Sequence, residues 1–407
     1  MTRRSTAQAW VVDTLLAGTG YEVLHPESRH FLAEIGYDPV DFNRVMSRVK
    51  SSAMMPKAWS EVAAEDERRA AWYEGQGLDY TARGLFVRAM LANCRARYAF
   101  GAGDVRKEAF RAAANRCLDA VIRLSASRIE RLALPFEGAT IYAVAHYPAG
   151  DGAAPLVLLL PGMDMYKEDW TRVAQEHYVS RGYAVLAVDG PGQGETAADG
   201  LTVAGDNYER AMSALIDHMV AQPDINGDVI GIWGVSMGSY WGLRTAAADR
   251  RIKAVATAMG CYGNMNVIFD RAQPGFKANF MRMTGHTDED RFDADVMGTM
   301  GVSPVAHQIK CPVLMSYGEF DELSTLDETI ALFDMLGGPK RLIVYENEFH
   351  ALGGVGSELI RSAADWLSRA LAGDLPQDEA VQAYIRRSGE ISDRATPSWW
   401  LAGASAP

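Results

Sequence analysis

Val229-Ile230-Gly231-Ile232-Trp233-Gly234-Val235-Ser236-Met237-Gly238-Ser239 decides how the chain folds. Its first five residues form a short, continuously apolar run of the kind that makes a strand buried on both faces. Gly-x-Ser-x-Gly follows at once, and then a stretch rich in Ala and Leu with helical character. A serine caught between a buried strand and a helix sits in a sharp, strained turn that lifts its hydroxyl clear of the sheet, and small flanking residues let other backbone pass close beside it. Ser236 is therefore the expected nucleophile.

Similar runs lie on both sides of this one: Leu156 to Leu160, Ala184 to Val188, Ala254 to Ala258, Val313 to Tyr317 and Leu342 to Tyr345. The intervals between them are long enough for helical crossovers. Together they predict an α/β architecture, an open, doubly wound, mostly parallel sheet with its functional groups at the carboxyl ends of the strands. From about Ala7 to Leu132 the pattern is instead helical, with Ala, Arg and Leu enriched and almost no β-branched runs. The expected organisation is an N-terminal helical cap over residues 1–130, a catalytic unit over 131–373 ending in a helix from Ser357 to Leu371, and a tail over 374–407 that its Trp399-Trp400 pair would dock on the protein or on a second copy.

A serine hydroxyl attacks poorly until a base takes its proton, and in a sheet of this type the order along the chain is nucleophile, acid, histidine. His286 lies in an acidic helix-like stretch, and His307 precedes a strand and so falls at the wrong end. His350 follows the strand Leu342 to Tyr345 by a short loop and is the expected base. The acid should follow the preceding strand, where Gly318-Glu319-Phe320 leads to Asp321; Glu319, Glu322 and Asp327 compete with it nearby. Asp321 would orient the imidazole and stabilise its protonated form. The oxyanion formed on attack needs two backbone amides, from Met237 after the nucleophile and from Met163 in the loop Pro161-Gly162-Met163-Asp164. The glycine-rich Asp189-Gly190-Pro191-Gly192-Gln193-Gly194-Glu195 lacks the lysine and spacing of a nucleotide cradle and is expected to pack at the rim of the site.

Composition narrows the partners. The 407 residues are 48% hydrophobic and 23% charged with a net charge of -12, which suits a folded protein acting on small molecules and argues against nucleic acid or an anionic membrane. No segment approaches 18 uninterrupted apolar residues. Cys94, Cys117, Cys261 and Cys311 have neither metal spacing nor the density of a disulfide framework, so a cytoplasmic location is expected. The histidines show no metal motif, and neither a metal nor another cofactor is expected. The apolar surface of the helical cap and of the Trp399-Trp400 tail makes a homodimer one expectation, and a monomer with a docked tail the alternative.

Pro161-Gly162-Met163-Asp164-Met165-Tyr166-Lys167-Glu168, the Asp189 to Glu195 segment and Gly234 to Gly238, taken together, resemble the FrsA-like branch of the α/β hydrolases over roughly residues 85 to 372. The resemblance implies the α/β-hydrolase fold, a helical part that covers the active site, and a triad of Ser236, Asp321 and His350. It also implies hydrolysis of a carbon–carbon bond next to a ketone, as several members perform, or of an ester, lactone or amide, as others do. A hydrolase fold retained only for binding is the third expectation. Residues before about 80 match no motif of the family, and selection of the substrate is expected from them. The aromatic supply of the cap, Trp59, Trp72, Tyr73, Tyr80 and Tyr98, would suit a flat substrate, although aromatics at helical spacing more often form core.

Overall fold

The computed structural model describes residues 2–20, 27–101, 103–263, 268–269, 272 and 275–395. Seven helices open the chain: α1 (Arg3–Ala7), α2 (Ala9–Thr19), α3 (Ser28–Ile35), α4 (Pro39–Met46), α5 (Met55–Gly75), α6 (Asp79–Tyr98) and α7 (Val105–Arg123). Local chemistry starts several of them. The Asp38 and Asp104 side chains accept from the backbone amides of Val40 and Arg106 at the starts of α4 and α7, and Pro39 and Pro56 stand in first turns, where no backbone N–H is needed.

Ten strands then form one sheet: β1 (Ile129–Phe136), β2 (Ala139–His146), β3 (Ala154–Leu160), β4 (Ala184–Asp189), β5 (Ile225–Val235), β6 (Ile252–Ala258), β7 (Val313–Gly318), β8 (Lys340–Tyr345), β9 (Ala380–Ile385) and β10 (Ile391–Ser392). Their order is β1-β2-β4-β3-β5-β6-β7-β8-β9-β10, parallel from β4 through β9 and antiparallel at both edges. From β3 the chain crosses to β4 on one side, and from β5 it crosses to β6 on the other. Strand order thus reverses between the carboxyl ends of β3 and β5, the crevice where open α/β sheets place their ligands.

Alternation along the strands divides the core between the two faces. Leu156, Leu158, Leu160, Ile230 and Ile232 pack beneath the helices Asn207–Val220 and Met237–Ala248. Val157, Leu159, Trp233 and Val235 join a second cluster with the helix Gly356–Ala372 and with buried residues of the N-terminal helices, among them Phe31, Phe42, Trp59 and Leu91. The change of pattern near residue 130 therefore separates two kinds of secondary structure that share one core.

The tail expected from residue 374 needs correction. β9 lies parallel to β8 and extends the sheet, and its Tyr384 hydroxyl donates to Glu319 at 2.9 Å. Ala380-Val381-Gln382-Ala383-Tyr384-Ile385 is mixed and half-exposed, as an edge position permits, so it shows no continuous apolar run. Trp399 and Trp400 lie outside the described residues. Among the described residues no helix is long and apolar enough to cross a membrane, and all four cysteines are free thiols.

Candidate active site

Ser236 ends the longest strand and caps the helix Met237–Ala248 with φ 56° and ψ -122°, a backbone region that only a tightly constrained non-glycine residue occupies. Several bonds hold it there. Its amide donates to Ala258 O at 2.9 Å, and the Ser239 hydroxyl bonds to the carbonyls of both Gly234 and Ala258. The two glycines of the turn are needed for close approach: a Cβ on Gly234 would stand 2.2 Å from Gly238 O, and one on Gly238 would stand 2.1 Å from Leu160 O.

His350 reaches this turn from the loop after β8. Its Nε2 lies 2.9 Å from Ser236 Oγ, and its Nδ1 lies 2.9 Å from Asp321 Oδ2. The Asp321 carboxylate is fixed in turn, because Oδ1 accepts the amides of Leu323 and Ser324 at 2.8 and 3.1 Å. Glu322 accepts the His350 backbone amide at 3.0 Å, whereas Glu319 is occupied by Tyr384 and by the Asn347 amide. Asp327 lies in the first turn of the helix Leu326–Met335. Both imidazole and carboxylate are buried. Burial alone would lower the His350 pKa, but the charge and hydrogen bond of Asp321, with Glu322 and Asp164 behind them, carry it above the ordinary imidazole value.

Met163 follows β3, and Met237 opens the helix that follows β5 and Ser236. Among the described residues neither backbone amide donates to a protein acceptor. A Cβ built on Gly162 would lie 3.2 Å from Ser236 Cβ, so the loop after β3 runs directly beside the serine. Gln193 braces that loop: its Nε2 donates to Pro161 O and Gly162 O at 3.3 and 3.0 Å, while its Oε1 accepts the Tyr208 hydroxyl at 2.9 Å. The Asp189 to Glu195 segment thus supports the site from its rim, and nothing in its sequence marks Gln193 for that task.

The same loop is tied to the helices through buried charge. Lys167 Nζ, fully enclosed, lies 2.7, 2.9 and 2.8 Å from Glu168, Asp189 and Glu195. Arg97 of α6 pairs with Glu168 at 2.8 Å and stacks on Tyr166, and Arg111 and Asn115 of α7 reach Glu195 at 3.0 and 2.6 Å. Although burial opposes it, the charge and hydrogen bond of Lys167 hold the Glu195 carboxyl down at about 2.

Over Ser236 lies a cavity of about 430 Å³. Val12, Phe31, Met55 and Trp59 line its helical side, and Arg95 and Tyr98 of α6 and the helix Gly275–Met283 line it as well. Of the five N-terminal aromatics singled out in the sequence, Trp59 and Tyr98 face this space, whereas Trp72 and Tyr80 are 60% and 91% exposed. Cys261, whose Sγ is 3.9 Å from Ser236 Oγ, and Asp164, paired with Arg95 at 2.9 Å, are neighbours of the site that have no role assigned from the sequence. Among the described residues no group of His, Cys, Asp and Glu is arranged to hold a metal ion.

Strand order, crevice and strained turn define an α/β-hydrolase fold with a helical N-terminal region. The chain belongs to the FrsA-like esterase family, whose model matches residues 55–270, and the prolyl oligopeptidase family model matches residues 170–374. Among curated proteins, the 2,6-dihydropseudooxynicotine hydrolase of Paenarthrobacter nicotinovorans is 28% identical over 311 residues, 76% of this chain and 82% of that protein. The esterase FrsA of Photobacterium profundum is 22% identical over 249 residues, 56% of this chain and 59% of that protein. The crystal structure of the 2,6-dihydroxy-pseudo-oxynicotine hydrolase shares the fold with a TM-score of 0.77 at 24% identity, over 87% of this chain and 98% of that one. The protein is an enzyme, a hydrolase related to these esterases and hydrolases.

Proposed function

We propose that the protein is a serine hydrolase that cleaves the carbon–carbon bond next to a ketone in a small 1,3-dicarbonyl or acyl-aromatic molecule. The observation that carries the serine chemistry is the unbroken relay from Ser236 Oγ through both ring nitrogens of His350 to the buried Asp321 carboxylate. With Nδ1 donating to Asp321, Nε2 is left to accept the serine proton. Ser236 Oγ adds to the carbonyl carbon, the amides of Met163 and Met237 hold the resulting oxyanion, and the imidazolium returns its proton to the departing carbanion. Water, activated by the same His350, then releases the acid from Ser236. The relatedness to a pseudooxynicotine hydrolase over three quarters of the chain supports a ketone substrate over a simple ester.

An ester, lactone or amide would use the same groups with an oxygen or nitrogen leaving atom, and the relatedness to FrsA supports this second reading. The two separate on matched substrates. A β-diketone and a p-nitrophenyl ester sharing one acyl group are given to the wild type and to Ser236→Ala. Release of carboxylic acid from the diketone, abolished in the variant, is expected; rapid hydrolysis of the ester with none of the diketone would move the assignment to esterase. Failure of a fluorophosphonate to label the protein in a Ser236-dependent way would remove both.

A further inference from the structure

The cavity over Ser236 has a largely apolar wall, and beyond Ser236, His350 and the Arg95–Asp164 pair it holds a polar corner on the helical side. Tyr98 from α6 meets Asn279 and Arg282 from the helix Gly275–Met283 there, and Phe31, Met55 and Trp59 line the same cavity. The hydrogen bonds in this corner run one way: Arg282 Nη1 donates to Asn279 Oδ1 at 2.6 Å, and the Asn279 amide donates to the Tyr98 hydroxyl oxygen. Used as an acceptor on its protein side, the Tyr98 hydroxyl has its own proton to give to an occupant of the cavity. Burial, with Asp164 and Tyr166 adding to it, raises the Tyr98 pKa well above the ordinary phenol value, so it remains a donor at neutral pH.

Charge balance distinguishes the two arginines of the cavity. Arg95 is matched by Asp164 at 2.9 Å and lies over the Tyr37 ring. Arg282 has no carboxylate within ion-pair distance among the described residues, in a chain whose net charge is -12. It is an exposed residue and so lies at the mouth, where an anion keeps part of its hydration and the desolvation penalty is small. A guanidinium fork there suits a carboxylate better than an ammonium would.

We propose that Arg282 and Tyr98 form a subsite for an anionic oxygen group, and that the substrate is an acyl compound with an apolar body and a carboxylate-like group. Which end reacts rests on the assignment of Ser236 as nucleophile. The apolar wall takes the body of the molecule, and the polar corner sets its direction and register in the cavity.

The test compares p-nitrophenyl octanoate with the mono-p-nitrophenyl ester of octanedioic acid, equal in length and differing in a terminal carboxylate. An apolar cavity alone favours octanoate. The expected result is a wild-type preference for the carboxylate ester of about tenfold in kcat/KM, residing in KM. Arg282→Gln and Tyr98→Phe, which keep the helix and the ring, should each collapse that ratio. A wild type that prefers octanoate, or variants that leave the ratio unchanged, would overturn the subsite. If neither ester is turned over, ester cleavage and not the subsite is excluded, and calorimetric titration of octanedioate and octanoate into Ser236→Ala protein decides the subsite alone: octanedioate must bind more tightly, and equal or weaker binding refutes it.

Discussion

His350 Nδ1 lies 2.9 Å from Oδ2 of Asp321, and neither side chain has appreciable contact with solvent. In the proposed mechanism the carboxylate therefore fixes both the ring tautomer and the ring orientation that Ser236 needs. Asp321→Asn keeps the shape but offers an amide where an acceptor is required, which reverses the tautomer. The expected loss is about 10⁴-fold in kcat with the unfolding transition little changed. Retention of a tenth of wild-type activity would mean that Asp321 is not the orienting acid.

The pH dependence follows from the same pair. Proton uptake from Ser236 requires neutral His350, whose pKa is raised above the ordinary value of 6.5. A raised imidazole stays protonated to higher pH, so activity is lost as pH falls through that raised value. The acid limb of kcat/KM should have its midpoint above 6.5. Asp164 contributes to the rise, so Asp164→Asn should move the midpoint down; an unmoved or higher midpoint would contradict this electrostatic account.

Much of this site is legible in the chain because strand ends are the only places where an open sheet can present it. Ser236, Asp321 and His350 each follow a continuous apolar run in the order the fold requires. The choice of Asp321 over Glu319 and Glu322 is not legible: it depends on which carboxylate accepts two amides with one oxygen and keeps the other for the ring. The cavity wall is hidden for a related reason. Tyr98 and Arg282 meet only through the docking of α6 against a helix far along the sequence, and no periodicity distinguishes Trp59, which faces the cavity, from exposed Trp72 on the same helix. β9 escaped because an edge strand need not be apolar on both faces.

Lys167 is expected to be essential for stability. It lies among three carboxylates with almost no access to water, and its replacement by Met leaves Glu168 to Arg97, Glu195 to Arg111, and Asp189 to backbone amides alone. Removal of one partner from a buried ionic cluster costs about 3–5 kcal/mol. Denaturant unfolding of Lys167→Met should show a loss of that order. In the wild type, Glu195 has its folded pKa depressed from 4.5 to about 2, so its share of the stability is present above 4.5 and is lost as pH falls towards 2. A Lys167→Met protein as stable as wild type at pH 7 would show that the cluster contributes nothing net.

Gly238→Ala tests whether the crevice depends on backbone contact between β3 and the nucleophile turn. A methyl at Gly238 meets the Leu160 carbonyl at 2.1 Å and Pro161 O at 2.9 Å, both main-chain atoms that cannot rotate aside. Relief requires the end of β3 to move away from the helix that follows Ser236, and the loop carrying Met163 moves with it. If Met163 is the oxyanion donor proposed above, its displacement costs about 10²–10³ in kcat, and overpacking of this kind costs about 1–3 kcal/mol of stability or more. Gly152→Ala provides the control, since a Cβ there meets nothing within 4 Å. Melting and ester turnover of the two variants should therefore diverge, with Gly152→Ala close to wild type and Gly238→Ala impaired in both. If Gly238→Ala melts normally and retains full turnover, β3 and the turn are not in the contact that positions Met163 opposite Ser236.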